Sequence, residues 1–589
     1  MKPQEIFETL QVVGPILWRA IRTRQIFNPA CELVEPDPDI LCEYDVEVPI
    51  SEGFSLTANV FRSRKSAETG EKVPVVMCAH PYDNRLIPAL GNTPLKGPPQ
   101  QYRLIPQSGG KPRFSTLASW ESPDPNFWVP AGYAIVNLNL PGYANSGGPP
   151  SVFSEHQAKC FYEAIEWIAK QDWCSGKVGL NGVSFLAITQ YHVAACQTYG
   201  GPPPSLKCIS PWEGITDPYH DLFALGGLTE TGFPTFWYNT EVRETINGPI
   251  EAFLETEGCL PTEYVEKHPL YDDFWQEKAA KLEQIDLPML VCASFSDHGL
   301  HTMGSFRAFQ KGTSKHKWVY THRVGKWVSY YSPEVQQLTK AFMDCFLKED
   351  SSSDFLNSPP VRLEVRSSRD VIHAVRHEDA WPLERTIYDK LYLDHGDPPI
   401  LTATQPQMEQ SVTYPANKGQ ATFNLTFDAD TELSGYMKLR VWVEARAAAG
   451  EAQPDDMAMF IAVNKLDHHG QMVPFYGSVG NDRDMVTRGY LRVSRRELDS
   501  KESTEWNPVL SGLSEQKLNA NEIVPVDIPL YPSSTFFKAG DSLQLIVSSD
   551  EIIPSPPYKK SVAINRGQHV LHFGGKYDSH LLIPIIPSS

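Results

Sequence analysis

Cysteine is missing from the whole chain beyond Cys345; all ten lie between Cys31 and Cys345, and some, such as Cys78 and Cys292, sit inside apolar runs. They read as buried free thiols in a reducing compartment, not a disulfide scaffold. No run of basic residues occurs, and 52 Lys+Arg against 71 Asp+Glu give a net charge of −19, which argues against nucleic acid or an anionic membrane as partner. No segment approaches the ~20 apolar residues of a membrane span. The features of a secretory signal are also lacking, because Glu5 and Glu8 charge the first residues and Pro15 interrupts the apolar patch from Val12 to Trp18. A cytoplasmic location is therefore expected. Zinc, haem, P-loop and dinucleotide motifs are missing, and His468-His469 is too isolated for a metal site, so neither metal nor cofactor is expected. At 589 residues the chain exceeds what one core organises, and two or three domains are expected.

What is present begins with Gly182-Val183-Ser184-Phe185-Leu186, where a β-prone run, Lys177 to Asn181, meets a helix-prone stretch, Leu186 to Cys196. A serine on such a strand-to-helix turn is lifted to the carboxyl edge of a parallel sheet, with a helix N-terminus aimed at it. Gly182 is required because a Cβ two residues before the serine would clash in the elbow. The glycine usual two residues after the serine is replaced by Leu186. Val73 to Ala79 and Tyr133 to Leu140 read as strands buried on both faces, and Phe161, Ala164, Ile165 and Ile168 mark a helix between the second of them and Ser184. Strand, helix, strand is the unit of a parallel sheet.

A serine nucleophile needs a base and an acid, which in such a sheet follow in the order Ser, acid, His. Asp297 follows the apolar run Leu287 to Ala293, and His322 follows Lys317 to Tyr320, just before a helix opened by Ser332 and Pro333. Val335, Leu338, Phe342 and Cys345 give that helix its buried stripe. His298, His301 and His316 are rivals for the base; the first two sit beside the acid, on the wrong side of the last strand, so His322 is preferred.

These residues, with His80-Pro81-Tyr82-Asp83, Trp120-Glu121, Asp124 to Ala134, Trp173 to Gly179, Tyr191 and Tyr577 to Pro584, give the chain a resemblance to the CocE/NonD serine hydrolases over nearly its whole length. The resemblance implies an α/β-hydrolase core with an inserted helical cap and a C-terminal jelly-roll β-sandwich. It implies a catalytic Ser184, Asp297 and His322, and an oxyanion hole made by the Tyr82 hydroxyl and the Phe185 amide. The implied reaction is hydrolysis of a carboxylic ester or amide of a small molecule through an acyl-enzyme. Acyl transfer to another acceptor uses the same residues, and a noncatalytic binding protein on this scaffold is disfavoured because all of them are present. Two departures matter. Asn139-Leu140-Pro141-Gly142 stands where relatives carry Asp-x-Arg-Gly, so different local packing is expected. His298 to His301 supply no carboxylate beside Asp297 of the kind that holds an ammonium in relatives acting on α-amino acyl groups, although Glu213 or Asp217 could contribute; aminopeptidase activity is demoted.

The domains expected are a lead-in at 1–44, core at 45–204, cap at 205–285, core again at 286–350, and linker with β-sandwich at 351–589. Ile6, Leu10, Val13 and Leu17 suggest an amphipathic helix, either docked on the body or, as the lesser alternative, touching a membrane surface. Trp212, Phe233, Phe236 and Trp237 are candidates for a substrate pocket. The insertion from Asn84 to Asn126 should border its mouth. The expected partner is a small-molecule acyl substrate; a homo-oligomer stays open.

Overall fold

A computed structural model describes residues 3–91, 93, 96–350 and 354–587, with side chains of the first helix from residue 10 onward. The chain divides into two compact units. The first comprises Met1–Pro218, Phe233–Lys267 and Asp273–Pro360; the second comprises Tyr219–Gly232, His268–Asp272 and Val361–Ser589.

The first unit is built on strands β1 (Ile40–Pro49), β2 (Ser55–Ser63), β3 (Val73–His80), β4 (Ala134–Asn139), β5 (Cys174–Val183), β6 (Leu206–Trp212), β7 (Met289–Ser294) and β8 (Lys317–His322). They pair in the order β1-β2-β4-β3-β5-β6-β7-β8, the first two joints antiparallel and the rest parallel. Every residue of β3, β4 and β7 is buried, as their near-continuous apolar composition requires of strands covered on both faces. This is the α/β arrangement the sequence implies.

Helices α1 (Pro3–Arg22), α2 (Glu155–Ala169), α3 (Phe185–Ala194), α4 (Phe233–Trp237), α5 (Ile250–Glu257), α6 (Asp273–Lys278), α7 (Thr302–Lys311), α8 (Lys326–Tyr330) and α9 (Pro333–Leu347) complete what bears on the site. The α2 stripe buries Phe161, Ala164, Ile165 and Ile168, and Ser154 caps it by accepting from the Gln157 amide. Helix α9 opens as its sequence requires, with the Ser332 hydroxyl accepting from the Val335 amide and Pro333 in the first turn. Its Val335 and Phe342 are buried, while Leu338 and Cys345 pack against the core from partly buried positions.

Three boundaries are corrected. The core begins at Ile40, because β1 pairs with β2 from there. Residues 206–212, expected at the start of the cap, form β6 inside the core sheet, so the inserted segment starts after Trp212. Within that insertion, 219–232 and 268–272 group with the second unit, leaving α4, α5 and α6 to the first. Helix α1 also differs from its expected face. Ile16 and Ala20 are buried, whereas Leu10 and Leu17 are exposed; the side chain of Ile6 lies outside the described residues. No helix among the described residues is long and apolar enough to cross a membrane.

The second unit is rich in antiparallel strands. Its longest, β13 (Thr431–Arg446), pairs with β16 (Val524–Phe537), β18 (Gln568–Phe573) and β19 (His580–Ile586). A second ladder joins β12 (Gln420–Thr426), β17 (Ser542–Ser548), β14 (Ala458–Leu466) and β15 (Thr487–Arg492). Both ladders bury side chains in one apolar cluster that includes Leu439, Val441, Ile461, Leu545 and Leu581. The unit also contains β9 (Val361–Arg366), β10 (Ile387–Asp394) and β11 (Gln410–Pro415).

Helix α9 packs its Phe342 and Met343 into the cluster that holds Val76 and Ile135 of the sheet. Replacing its cap, Ser332→Ala, is expected to cost about 1 kcal/mol. Urea denaturation followed by tryptophan fluorescence checks this as a lower midpoint, with ester turnover per folded molecule unchanged.

Candidate active site

Ser184 occupies the turn between β5 and α3 with φ 59° and ψ −116°, a conformation an L-residue holds only when neighbours enforce it. Its amide donates to the carbonyls of Trp212 (3.0 Å) and Glu213 (3.1 Å) at the end of β6. Gly182, at φ +156°, explains both the expected glycine and the missing one. A Cβ on Gly182 would lie 2.6 Å from the Cβ of Leu186, so the leucine fills the space the glycine leaves empty. A second glycine at that position is unnecessary here.

The imidazole beside the serine is His301. Its Nε2 lies 3.1 Å from Ser184 Oγ, and its Nδ1 lies 2.5 Å from Asp297 Oδ2. Asp297 follows β7, and His301 is the N-cap residue of α7, so one turn of chain presents both. With the Nδ1–H donating to the carboxylate, Nε2 is left as acceptor for the serine proton. Burial, and then the Lys326 ammonium, lower the His301 pKa against the pull of Asp297. The neutral imidazole a base requires is thereby favoured.

His322, the expected base, does not lie beside the serine. It ends β8 in register with Ser294, its ring stacks on Trp212 at 5.9 Å and 13°, and its Nε2 lies 2.8 Å from Glu213 Oε1. It is 2% exposed and engaged with the residues under the elbow, not with the serine hydroxyl. Asp297 and Ser184 are brought together as expected, but through the rival histidine four residues after the acid. The available signal was that spacing: residues four apart share one face of a helical turn.

Tyr82 follows β3, 7% exposed, with its ring 6.1 Å from that of Phe185. The Trp237 indole N–H donates to its hydroxyl (3.1 Å), which leaves the phenolic hydrogen free to point elsewhere. Burial first, then Glu121 and Glu241, push the Tyr82 pKa well above the usual range, so it stays a donor. His80 supports it from behind: Nδ1 accepts the Tyr82 amide at 3.1 Å, the two rings stack at 5.6 Å, and burial pushes the His80 pKa down to about 4. The substituted loop also contributes. Asn139 Oδ1 accepts from the Asn84 amide (3.0 Å), and the Asn84 side chain donates to the Asn137 carbonyl (2.7 Å), which ties down the chain just past Tyr82. The Phe185 amide belongs to the first turn of α3, where helix N–H groups lack intrahelical partners.

The candidate pocket residues separate. Trp237 touches Tyr82 and stacks on Phe153 (5.8 Å) and Phe185 (6.0 Å). Phe153 was not anticipated; it lies in an irregular loop at φ 52°, where periodicity gives no signal. Trp212 is fully buried against His322, Tyr320 and Tyr330, and serves the core. Phe236 is buried and Phe233 half-buried, with their rings 6.4 Å apart. Among the described residues, two buried groups, Glu213–Cys292–His322 and Glu213–Asp297–His301, gather ligand-type atoms within 4.8 Å of one another. The second contains the Asp297–His301 pair beside Ser184.

Residues 52–328 match the family model of the X-Pro dipeptidyl-peptidase (S15 family), and residues 353–582 match the X-Pro dipeptidyl-peptidase C-terminal non-catalytic domain. A CocE/NonD family hydrolase from Staphylococcus aureus, known as a crystal structure, is 36% identical and superposes with a TM-score of 0.83 over 93% of this chain and 94% of its own. Cocaine esterase of Rhodococcus sp. (strain MB1 Bresler) is 22% identical over 92% of this chain and 98% of that protein. An α-amino acid ester hydrolase structure, 14% identical, shares the fold with a TM-score of 0.66 over 94% of this chain and 98% of its own.

The tightness of the elbow makes Gly182→Val a direct test. Displacing Ser184 by a fraction of an ångström is expected to slow its labelling by a fluorophosphonate about 100-fold. Circular dichroism checks that secondary structure is retained.

Proposed function

The chain belongs to the CocE/NonD hydrolase family and is a serine hydrolase acting on esters or amides; from that premise we propose that Ser184, His301 and Asp297 carry the reaction, with Tyr82 and Phe185 as the oxyanion hole. The observation that carries this reading is the continuous relay, 3.1 Å from Ser184 Oγ to His301 Nε2 and 2.5 Å from His301 Nδ1 to Asp297 Oδ2. The Ser184 oxygen attacks the acyl carbon as its proton passes to His301 Nε2. Charge developing on the carbonyl oxygen is met by the Tyr82 hydroxyl and the Phe185 amide. Collapse expels the alcohol or amine, which takes the proton from His301. Water, deprotonated by the same imidazole, then releases the acid and restores Ser184.

The substrate proposed is a small-molecule carboxylic ester whose acyl group carries no α-ammonium. Lys326 Nζ lies 3.7 Å from Asp297 Oδ2 and 3.5 Å from His301 Nδ1, and a cation at that position repels another. The Trp237, Phe153 and Phe185 stack supports an apolar or aromatic portion of the substrate. We also read the second unit as a jelly-roll β-sandwich, supported by its two ladders and shared core.

Four variants test the assignment on a p-nitrophenyl ester. Ser184→Ala is expected to lose fluorophosphonate labelling and turnover. His301→Ala should lower kcat/KM by about 10³-fold or more, whereas His322→Gln should leave the relay working. Tyr82→Phe should lower kcat by about 100-fold with little change in KM, the signature of a donor used in the transition state. A wild-type rate in His301→Ala would defeat the assignment.

A further inference from the structure

Lys326 is the first residue of α8, and its side chain is 13% exposed. Its ammonium approaches Asp297 at 3.7 Å and His301 Nδ1 at 3.5 Å, and lies 5.0 Å over the ring of Trp327. The groups facing it come from separate elements: Asp297 after β7, His301 at the start of α7, Glu213 at the end of β6, Glu121 in the loop before β4, and Glu241 in the inserted segment. Resting on the reading that His301 is the base, we propose that Lys326 is a positioning residue that keeps the Asp297 carboxylate ionised and His301 unprotonated, extending activity to lower pH.

The geometry gives the sign. A protonated His301 would face a second cation across 3.5 Å, a repulsion the neutral imidazole avoids. The same cation favours the ionised Asp297 that accepts the Nδ1–H. Burial works against the charge on Lys326, yet Asp297, Glu121, Glu213 and Glu241 together raise its pKa, so it remains an ammonium through neutral pH. Burial pushes Glu121 up to about 8 and Glu241 up to about 7, each held back in part by Lys326. Without the lysine both acids are protonated further into the neutral range and add little charge there. The effect of Lys326 on His301 therefore dominates the acidic limb of the rate profile. Glu121 is further fixed by the Trp327 indole N–H at 2.8 Å, so α8 delivers the cation and a hydrogen bond to one of its counter-groups together.

The test is kcat/KM for p-nitrophenyl acetate between about pH 5 and 9, where the acidic limb reports the free enzyme's base. In Lys326→Met the limb is expected to move up by about one pH unit, because His301 then accepts a proton more readily. Activity at pH 6 falls several-fold more than at pH 8. Lys326→Arg, which keeps the charge, should hold the wild-type limb. Lys326→Gln serves as a second neutral variant if the methionine protein does not fold, and the limb's position does not depend on the fraction of active enzyme. A limb unmoved in a folded neutral variant, with His301→Ala still inactive, overturns the role of Lys326 alone. Full activity in His301→Ala would instead overturn the reading on which it rests.

Discussion

The contact between Asp297 and His301 is the interaction on which the site depends. Acid and imidazole are four residues apart and 2.5 Å from one another, so their pairing is local and needs no agreement between distant loops. Only the serine is delivered from elsewhere, by the elbow after β5. The histidine of the last strand takes a different place. His322, Trp212 and Glu213 form a buried group at the ends of β8 and β6, and it is the carbonyls of Trp212 and Glu213 that hold the Ser184 amide.

Backbone strain converges at this point. Ser184, Glu213 and Glu121 all have positive φ, at 59°, 52° and 63°. Each such residue costs on the order of 1–3 kcal/mol and persists only where its surroundings fix it. Here they fix one another: Val183 donates to the Glu121 carbonyl and Ser184 to that of Glu213. Two of the three, Glu213 and Glu121, also bring carboxylates near Asp297, His301 and Tyr82, so backbone geometry and electrostatics are set together. The Tyr82 hydroxyl is prepared in the same manner, since His80 accepts its amide and Trp237 fixes its oxygen before any substrate arrives.

Much of this was legible in the sequence because its signals are local. The elbow follows from Gly182 and Ser184, the sheet from runs such as Val73–Ala79, and α9 from Ser332-Pro333 and its stripe. Asp297 follows from its position just past a strand. The sequence favours His322 where the structure sets His301 beside the serine, because both lie near strand ends and which one faces the serine depends on side-chain direction in three dimensions. Cap boundaries failed for a similar reason: Leu206–Trp212 is apolar and short, and only pairing with its neighbours makes it β6 and not the start of an insertion. Phe153 and the Trp237 donor to Tyr82 are products of packing between distant segments, which periodicity does not encode.

The most direct measurement of the central claim is the crystal structure of the enzyme phosphonylated by a fluorophosphonate. Phosphorus is expected on Ser184 Oγ, the phosphoryl oxygen within hydrogen-bond distance of Tyr82 Oη and the Phe185 amide, and His301 Nε2 facing the adduct with Asp297 still on Nδ1. An adduct in which His322 has turned to the phosphonate, or in which the phosphoryl oxygen points away from Tyr82, would contradict it.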